Sequence, residues 1–198
     1  MRILNCITDF NHYFSAQTLH PQVAVAELFR ADFSLFDTKV YDMYALIMID
    51  GVFGELIRDG KPLPYTKGSL VTIRPGQSIE MKMDYTTKPQ GWMLAFKPEL
   101  LEKTGLGRDF YMFSYFNSDY SEAIRLTDME YGVIKNCFAN LYAELNTPKD
   151  HLSGQMIRLG IGTLLSYVKR YFEKQHTTSV LRSETLVGKL DTLLDKYL

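Results

Sequence analysis

The chain of 198 residues has few of the side chains that bind transition metals or act as strong nucleophiles. It contains four histidines and two cysteines, Cys6 and Cys137, and no histidine lies between residues 21 and 150. Catalytic zinc, iron and manganese need clustered imidazole, thiolate or carboxylate ligands. The sequence therefore argues against a metal-dependent enzyme. Two cysteines without a spacing pattern also favour free thiols over a disulfide framework.

Long apolar runs and an excess of positive charge are missing as well. No stretch approaches the ~20 apolar residues of a membrane-spanning helix, and the N-terminus lacks the continuous apolar region of a signal peptide. We therefore expect a cytoplasmic protein without membrane contact. The 22 basic residues balance 23 acidic ones, whereas nucleic-acid-binding domains usually have a basic excess. Motifs of serine hydrolases, P-loop proteins and dinucleotide-binding proteins are absent, so we predict no enzyme activity and no cofactor.

Short strands are predicted between residues 44 and 96. Apolar runs occupy residues 44–49, 70–73 and 92–96, and from residue 79 to residue 84 apolar and charged side chains alternate as in a half-buried strand. Asp59-Gly60 predicts a tight hairpin, because glycine tolerates the positive φ of a primed turn. Further strands are predicted at residues 23–29 and 32–36. Short strands at this spacing predict a small antiparallel sandwich or barrel, the jelly-roll class that includes cupins.

Helical periodicity replaces strand periodicity after Arg125. Thr127 and Glu130 fit a capping box at a helix start, and apolar stripes follow over residues 128–145, 150–174 and 183–198, with a polar link at residues 176–180. The aromatic residues between 110 and 120 are expected to seal the strands against these helices. The sequence thus predicts an α+β fold, with an antiparallel barrel and N-terminal arm in residues 1–120 and two to three helices in residues 121–198.

The order of these motifs resembles the N-terminal sensor domain of AraC-type transcription regulators. The likeness covers residues 18–198 and rests on a His20-Pro21 step, the Asp59-Gly60 hairpin, the turn at residues 75–77 and the Phe-x-Pro-Glu-Leu segment at residues 96–100. It implies a cupin-like barrel that binds a small-molecule effector, with a sugar as one candidate, and a homodimer. It also implies DNA contact only through a C-terminal helix-turn-helix domain that this chain lacks. Ile79 departs from the family, which often has histidine there.

Candidate ligand-binding residues follow from this resemblance and from strand alternation. Ile79 occupies a slot that points inward in the family, and Met81 and Met83 share its face. The register adds further candidates, so that the full set is Tyr44, Met48, Arg74, Ile79, Met81, Met83 and Trp92. Two alternatives stay open. The barrel could be filled by its own side chains, leaving a domain that only dimerises, or the chain could be a metal-dependent cupin enzyme such as a sugar isomerase or dioxygenase.

Candidate dimerisation residues lie on the second long helix, whose apolar stripe looks wider than one antiparallel neighbour requires. The set is Ile161, Leu164, Leu165, Val168, Tyr171 and Phe172. An uncovered stripe of this size would be unusual on a monomer, and a two-fold pairing would bury it. The alternative is a closed bundle of the three predicted helices within one chain.

Overall fold

The computed structural model describes residues 2–31, 39–83, 87–102, 104–108, 110–116 and 122–194, and of residues 2, 39, 83 and 178–194 it describes the backbone alone. The strand predicted at residues 32–36 and the predicted domain boundary near residue 120 lie outside these ranges. The described strands are β1 (Arg2–Leu4), β2 (Val23–Glu27), β3 (Lys39–Tyr41), β4 (Tyr44–Ile49), β5 (Gly54–Arg58), β6 (Lys61–Pro62), β7 (Ser69–Ile73), β8 (Ser78–Met83), β9 (Gly91–Phe96) and β10 (Ile124–Arg125). The described helices are α1 (Ile7–Tyr13), α2 (Gly105–Arg108), α3 (Asp128–Asn146) and α4 (Ser153–Leu194).

These elements form an α+β fold with two five-stranded sheets. The first sheet has the order β1-β3-β8-β5-β6, and the second has the order β10-β7-β4-β9-β2. All neighbours pair antiparallel except β1 and β3, which are parallel. No described strand hydrogen bonds from one sheet to the other, so the described residues form two separate sheets without a closed barrel.

The second sheet is the middle of three layers. Along β4, Ala45, Ile47 and Ile49 pack in the core between the two sheets, whereas Leu46 and Met48 pack in a second core against α3 and α4. A strand covered on both faces can be apolar at every position. This explains why β4, β7 and β9 appear in the sequence as continuous apolar runs, while β8 in the outer sheet shows alternation.

Side chains fill the space between the sheets. Helix α1 contacts β1, β2 and β9, and it contributes Ile7, Phe10, Tyr13 and Phe14 to the core between the sheets. Residues from the strands and their loops complete this core, among them Tyr41, Met43, Phe53, Leu56, Ile79 and Met93, all at most 2% exposed. The N-terminal segment is thus part of the interior.

Local turn and cap signals have the structures expected of them. Asp59 and Gly60 both have positive φ, 50° and 75°, which is the primed geometry predicted for the β5–β6 hairpin. Thr127 caps α3 in a reciprocal capping box with Glu130. In the described part of the aromatic segment, residues 110–116, the rings of Phe110, Phe113, Tyr115 and Phe116 pack between the second sheet and the helices, as predicted. Tyr111 is exposed.

The last two predicted helices are one helix. α4 runs without a break from Ser153 to Leu194, 42 residues, so the polar link predicted at residues 176–180 is wrong. α4 packs antiparallel to α3. The Nζ atom of Lys174 in α4 lies 2.8 Å from the Oε1 atom of Glu130 at the start of α3. Among the described residues, no helix combines the length and the hydropathy needed to cross a membrane.

Candidate functional site

The seven predicted ligand-binding residues do not lie together. Ile79 and Met81 face the core between the sheets, whereas Tyr44, Met48 and Trp92 face the helices on the far side of the second sheet.

Arg74 lies at the end of β7, near enough to Tyr44 for its charge to oppose the rise in the pKa of Tyr44 that burial causes. The side chain of Met83 lies outside the described residues. The described candidates thus form two separate groups, one on each face of the second sheet. Their role in ligand binding stays a prediction.

The cavities that border the described residues differ greatly in size. A cavity of about 10 Å³ beside β7 could hold at most a water molecule. A second, of about 190 Å³, lies between the N-terminal segment, β2 and α3. A third, of about 600 Å³, lies outside the sandwich between α2 and the outer face of α4. Small-molecule sites usually measure ~300–1000 Å³, so the third is the candidate site. We call it the α2–α4 groove.

Small residues on α4 create the α2–α4 groove. Gly162, Thr163 and Ser166 line it, so no bulky side chain rises from the middle of this helix face. Leu106 of α2 packs closely against Gly162. A Cβ built on this glycine would lie 3.3 Å from the Cδ2 atom of Leu106. Leu159 and Tyr167 add apolar surface on α4.

Helix α2 is held in position by its own first turn. The Thr104 hydroxyl donates a hydrogen bond of 2.7 Å to the carbonyl oxygen of Leu101 and accepts one of 3.1 Å from the amide of Gly107. A Cβ on Gly107 would overlap the Leu101 carbonyl, so glycine permits this tight return of the chain. The α2 wall of the groove is therefore set by local chain geometry.

The α2–α4 groove is positively charged. Arg158 and Arg170 line it, and among the residues that the structure describes no carboxylate does. They are twelve residues apart on α4, which corresponds to ~18 Å along the helix axis. The guanidinium of Arg170 lies over the ring of Tyr167, 5.5 Å from its centroid. Burial lowers the pKa of His20, and the nearby charges of Lys149 and Arg158 lower it further, which favours the neutral imidazole. Lys149 thus adds a positive charge near the Arg158 end of the groove.

Metal-binding clusters are not found in the part of the chain that the structure describes. No three His, Cys, Asp or Glu side chains lie close enough there to hold a metal ion. Burial raises the pKa of the Cys137 thiol, which disfavours the nucleophilic thiolate.

The six predicted dimerisation residues are buried within a single chain. Ile161, Leu164, Leu165 and Val168 are fully buried, and Tyr171 and Phe172 are nearly so, all in the core between α4, α3 and the second sheet. In this fold they have no free surface for a second copy. The free face of α4 carries Met156, Leu159, Thr163, Ser166 and Arg170.

The α2–α4 groove was not predicted from the sequence. The available signal was the run of small residues at positions 160, 162, 163 and 166 within a helix. In the structure Gly160 and Gly162 face side chains of two different elements, Leu141 of α3 and Leu106 of α2. Nothing in the sequence marks α2 as the partner of Gly162.

No protein-family model matches this chain, and no curated protein matches it significantly. The resemblance to AraC-type regulators therefore rests on the sequence motifs alone, and the structure adds the α+β class, the two sheets and the α2–α4 groove.

Proposed function

We propose that this chain is the effector-sensing and self-associating domain of an AraC-type transcription regulator, without catalytic activity of its own. Two mostly antiparallel sheets with tight glycine turns, followed by two antiparallel helices, are compatible with the cupin-like sensor that the sequence motifs imply. The single observation that carries the proposal is the length of α4, which is more than twice that of α3.

The first half of α4 belongs to the core, and the second half extends beyond it. Lys174 is level with the start of α3, and twenty residues of α4 follow it. At 1.5 Å per residue this second half is ~30 Å long and extends past the N-terminal end of α3. Leu186, Leu190 and Leu193 follow one another there at helical spacing, four and three residues apart. A projecting helix with an apolar stripe suits pairing with the same helix of a second copy, in the isologous way that is commonest in oligomers.

Sedimentation velocity of the purified chain tests this assembly. We expect a dimer at micromolar concentration and a monomer for Leu190→Glu, because a charge on the stripe would have to be buried in the interface. Met129→Glu is the matched control, since Met129 on α3 is 85% exposed. A wild-type chain that stays monomeric on concentration contradicts the proposal.

Metal analysis separates the regulator from the alternative of a metal-dependent cupin enzyme. Among the described residues no three His, Cys, Asp or Glu side chains lie close together, as the ligands of a catalytic metal would. We therefore expect substoichiometric iron, zinc and manganese in the purified protein. One equivalent of any of them per chain would contradict a non-catalytic role.

A further inference from the structure

We infer that the α2–α4 groove binds a small organic anion that has an apolar body, such as an aryl carboxylate. This inference assigns a site and a ligand class to the proposed sensing function. It rests on that function only where it takes the bound anion to be the effector. The binding itself is argued from the groove alone.

The size and the apolar surface of the groove fit the body of such a ligand. Its volume of about 600 Å³ lies within the usual range for small-molecule sites. Leu159 is 57% exposed there, although a leucine on a helix that packs on a core usually faces inward. Together with Leu106 and the ring of Tyr167, it offers apolar surface that an aromatic or aliphatic body would cover.

The charges of the groove determine the sign of the ligand. Two other exposed arginines, Arg30 and Arg125, each pair with a glutamate three residues away at 3.0 Å. Arg158 and Arg170 have no such ion pair with a described residue. A guanidinium group binds carboxylates with paired, charge-assisted hydrogen bonds. A carboxylate in the groove would therefore meet guanidinium groups that pair with none of the described carboxylates.

Neutral polar groups complete the site without competing with the arginines. Gln155 and Thr163 line the groove and can donate or accept hydrogen bonds. The Ser166 hydroxyl already donates to the Gly162 carbonyl at 2.8 Å, so it turns its donor away from the groove. Polar contacts with a ligand are therefore expected mainly at the arginines and at Gln155 and Thr163.

A second copy of the chain is a poorer occupant of the groove. Two-fold pairing through this face would place Arg158 and Arg170 against the same two arginines of the other copy, and no carboxylate among the described lining residues would separate them. Like charges that face each other across an interface are unfavourable. The self-association proposed above uses the distal half of α4 and leaves this groove open.

Isothermal titration with 4-phenylbutyrate tests the inference on the full chain, with the neutral 4-phenylbutyramide as matched ligand. We expect saturable binding of one phenylbutyrate per chain and at least tenfold weaker binding of the amide. The double variant Arg158→Gln/Arg170→Gln should bind phenylbutyrate at least tenfold more weakly. Arg125→Gln, which removes an exposed arginine outside the groove, should bind it as the wild type does.

The same titrations define the results that overturn the inference. It is wrong if phenylbutyrate does not saturate the wild type at millimolar concentration, if the amide binds equally well, or if the double variant keeps wild-type affinity. Ser166→Leu supplies an independent readout, because a leucine on this exposed position fills the groove without touching the core, so binding should be lost while the unfolding temperature is kept. A dimer that Leu159→Glu dissociates would show that a second copy covers the groove, which also overturns the inference.

Failure of this inference and failure of the proposed function can be told apart. A chain that binds phenylbutyrate but is a monomer, or that holds stoichiometric metal, supports the ligand site in the groove and contradicts the proposed regulator function. A dimer without metal that binds no phenylbutyrate supports the proposed regulator function and contradicts the ligand site in the groove.

Discussion

The hydroxyl of Tyr115 donates a hydrogen bond of 3.0 Å to the backbone carbonyl of Leu165, in the middle of α4. The carbonyl of Tyr115 itself accepts a hydrogen bond of 3.0 Å from the hydroxyl of Thr72 in β7. One buried residue in a short turn therefore connects the second sheet to the long helix. This connection helps to set the position of α4, and with it the groove on the outer face of that helix.

Tyr115→Phe should lower the free energy of unfolding by ~1 kcal/mol, because it removes one hydrogen bond and keeps the ring in place. Urea unfolding of the variant measures the change. Tyr111→Phe is the control, since Tyr111 is 74% exposed, and its effect should be close to zero. Equal effects of the two substitutions would show that the Tyr115 hydroxyl does not stabilise the contact with α4.

Leu164→Ala should destabilise the monomer by ~2–5 kcal/mol, since Leu164 is fully buried between α4, α3 and the sheet. Leu159→Ala, on the exposed face of the same helix, should change stability little. Both are measured by urea unfolding at two protein concentrations tenfold apart. A Leu164→Ala effect that appears only through the concentration dependence would place this leucine in a dimer interface after all.

Gly91→Ala should destabilise the fold by ~3 kcal/mol or more. Gly91 has φ of +135°, and a Cβ built there would overlap the carbonyl oxygen of Met48 on the neighbouring strand β4. Gly51→Ala is the matched control, because a Cβ there meets no atom within 4 Å. Thermal unfolding of both variants gives the comparison, and similar midpoints would contradict the backbone geometry of β9.

Glu130→Gln should reduce the loss of stability in acid. Burial alone would raise the pKa of Glu130, but hydrogen bonds from Lys174 and Thr127 and the charge of Lys174 outweigh it, so this pKa lies below its usual value of 4.5. A carboxyl whose pKa is lowered by folding stabilises the protein fully above its unfolded pKa. That contribution is lost as the pH falls through the lower, folded value.

Chemical denaturation between about pH 7 and pH 3 measures this effect. The wild type should be more stable than Glu130→Gln at pH 7, and the difference should shrink below about pH 4.5. Glu144→Gln, on a half-buried position near the end of α3 without an ion pair to a described residue, is the control and should differ from the wild type little at any pH. A difference for Glu130→Gln that stays constant down to pH 3 would contradict the lowered pKa.

Local structure was largely decided by the sequence. The capping box of Thr127 and Glu130 and the turn at Asp59-Gly60 depend on residues that are neighbours in the chain, so short-range chemistry sufficed to predict them. The apolar runs of β4 and β9 likewise indicated strands in a mixed α+β chain. The alternation of apolar and charged residues in β8 predicted which of its side chains face the core, because only one face of the outer sheet is buried.

Tertiary packing decided the rest. A strand buried on both faces has no alternation, so the sequence could not show that Tyr44 and Met48 face the helices while Ile79 faces the other sheet. The polar residues after His176 are compatible with a helix, and without a proline or glycine there, α4 continues through them. The filled interior depends on α1 packing against both sheets, and the groove depends on α2 meeting Gly162. Both are contacts between residues distant in the chain, and the sequence near either partner does not encode which distant segment it will meet.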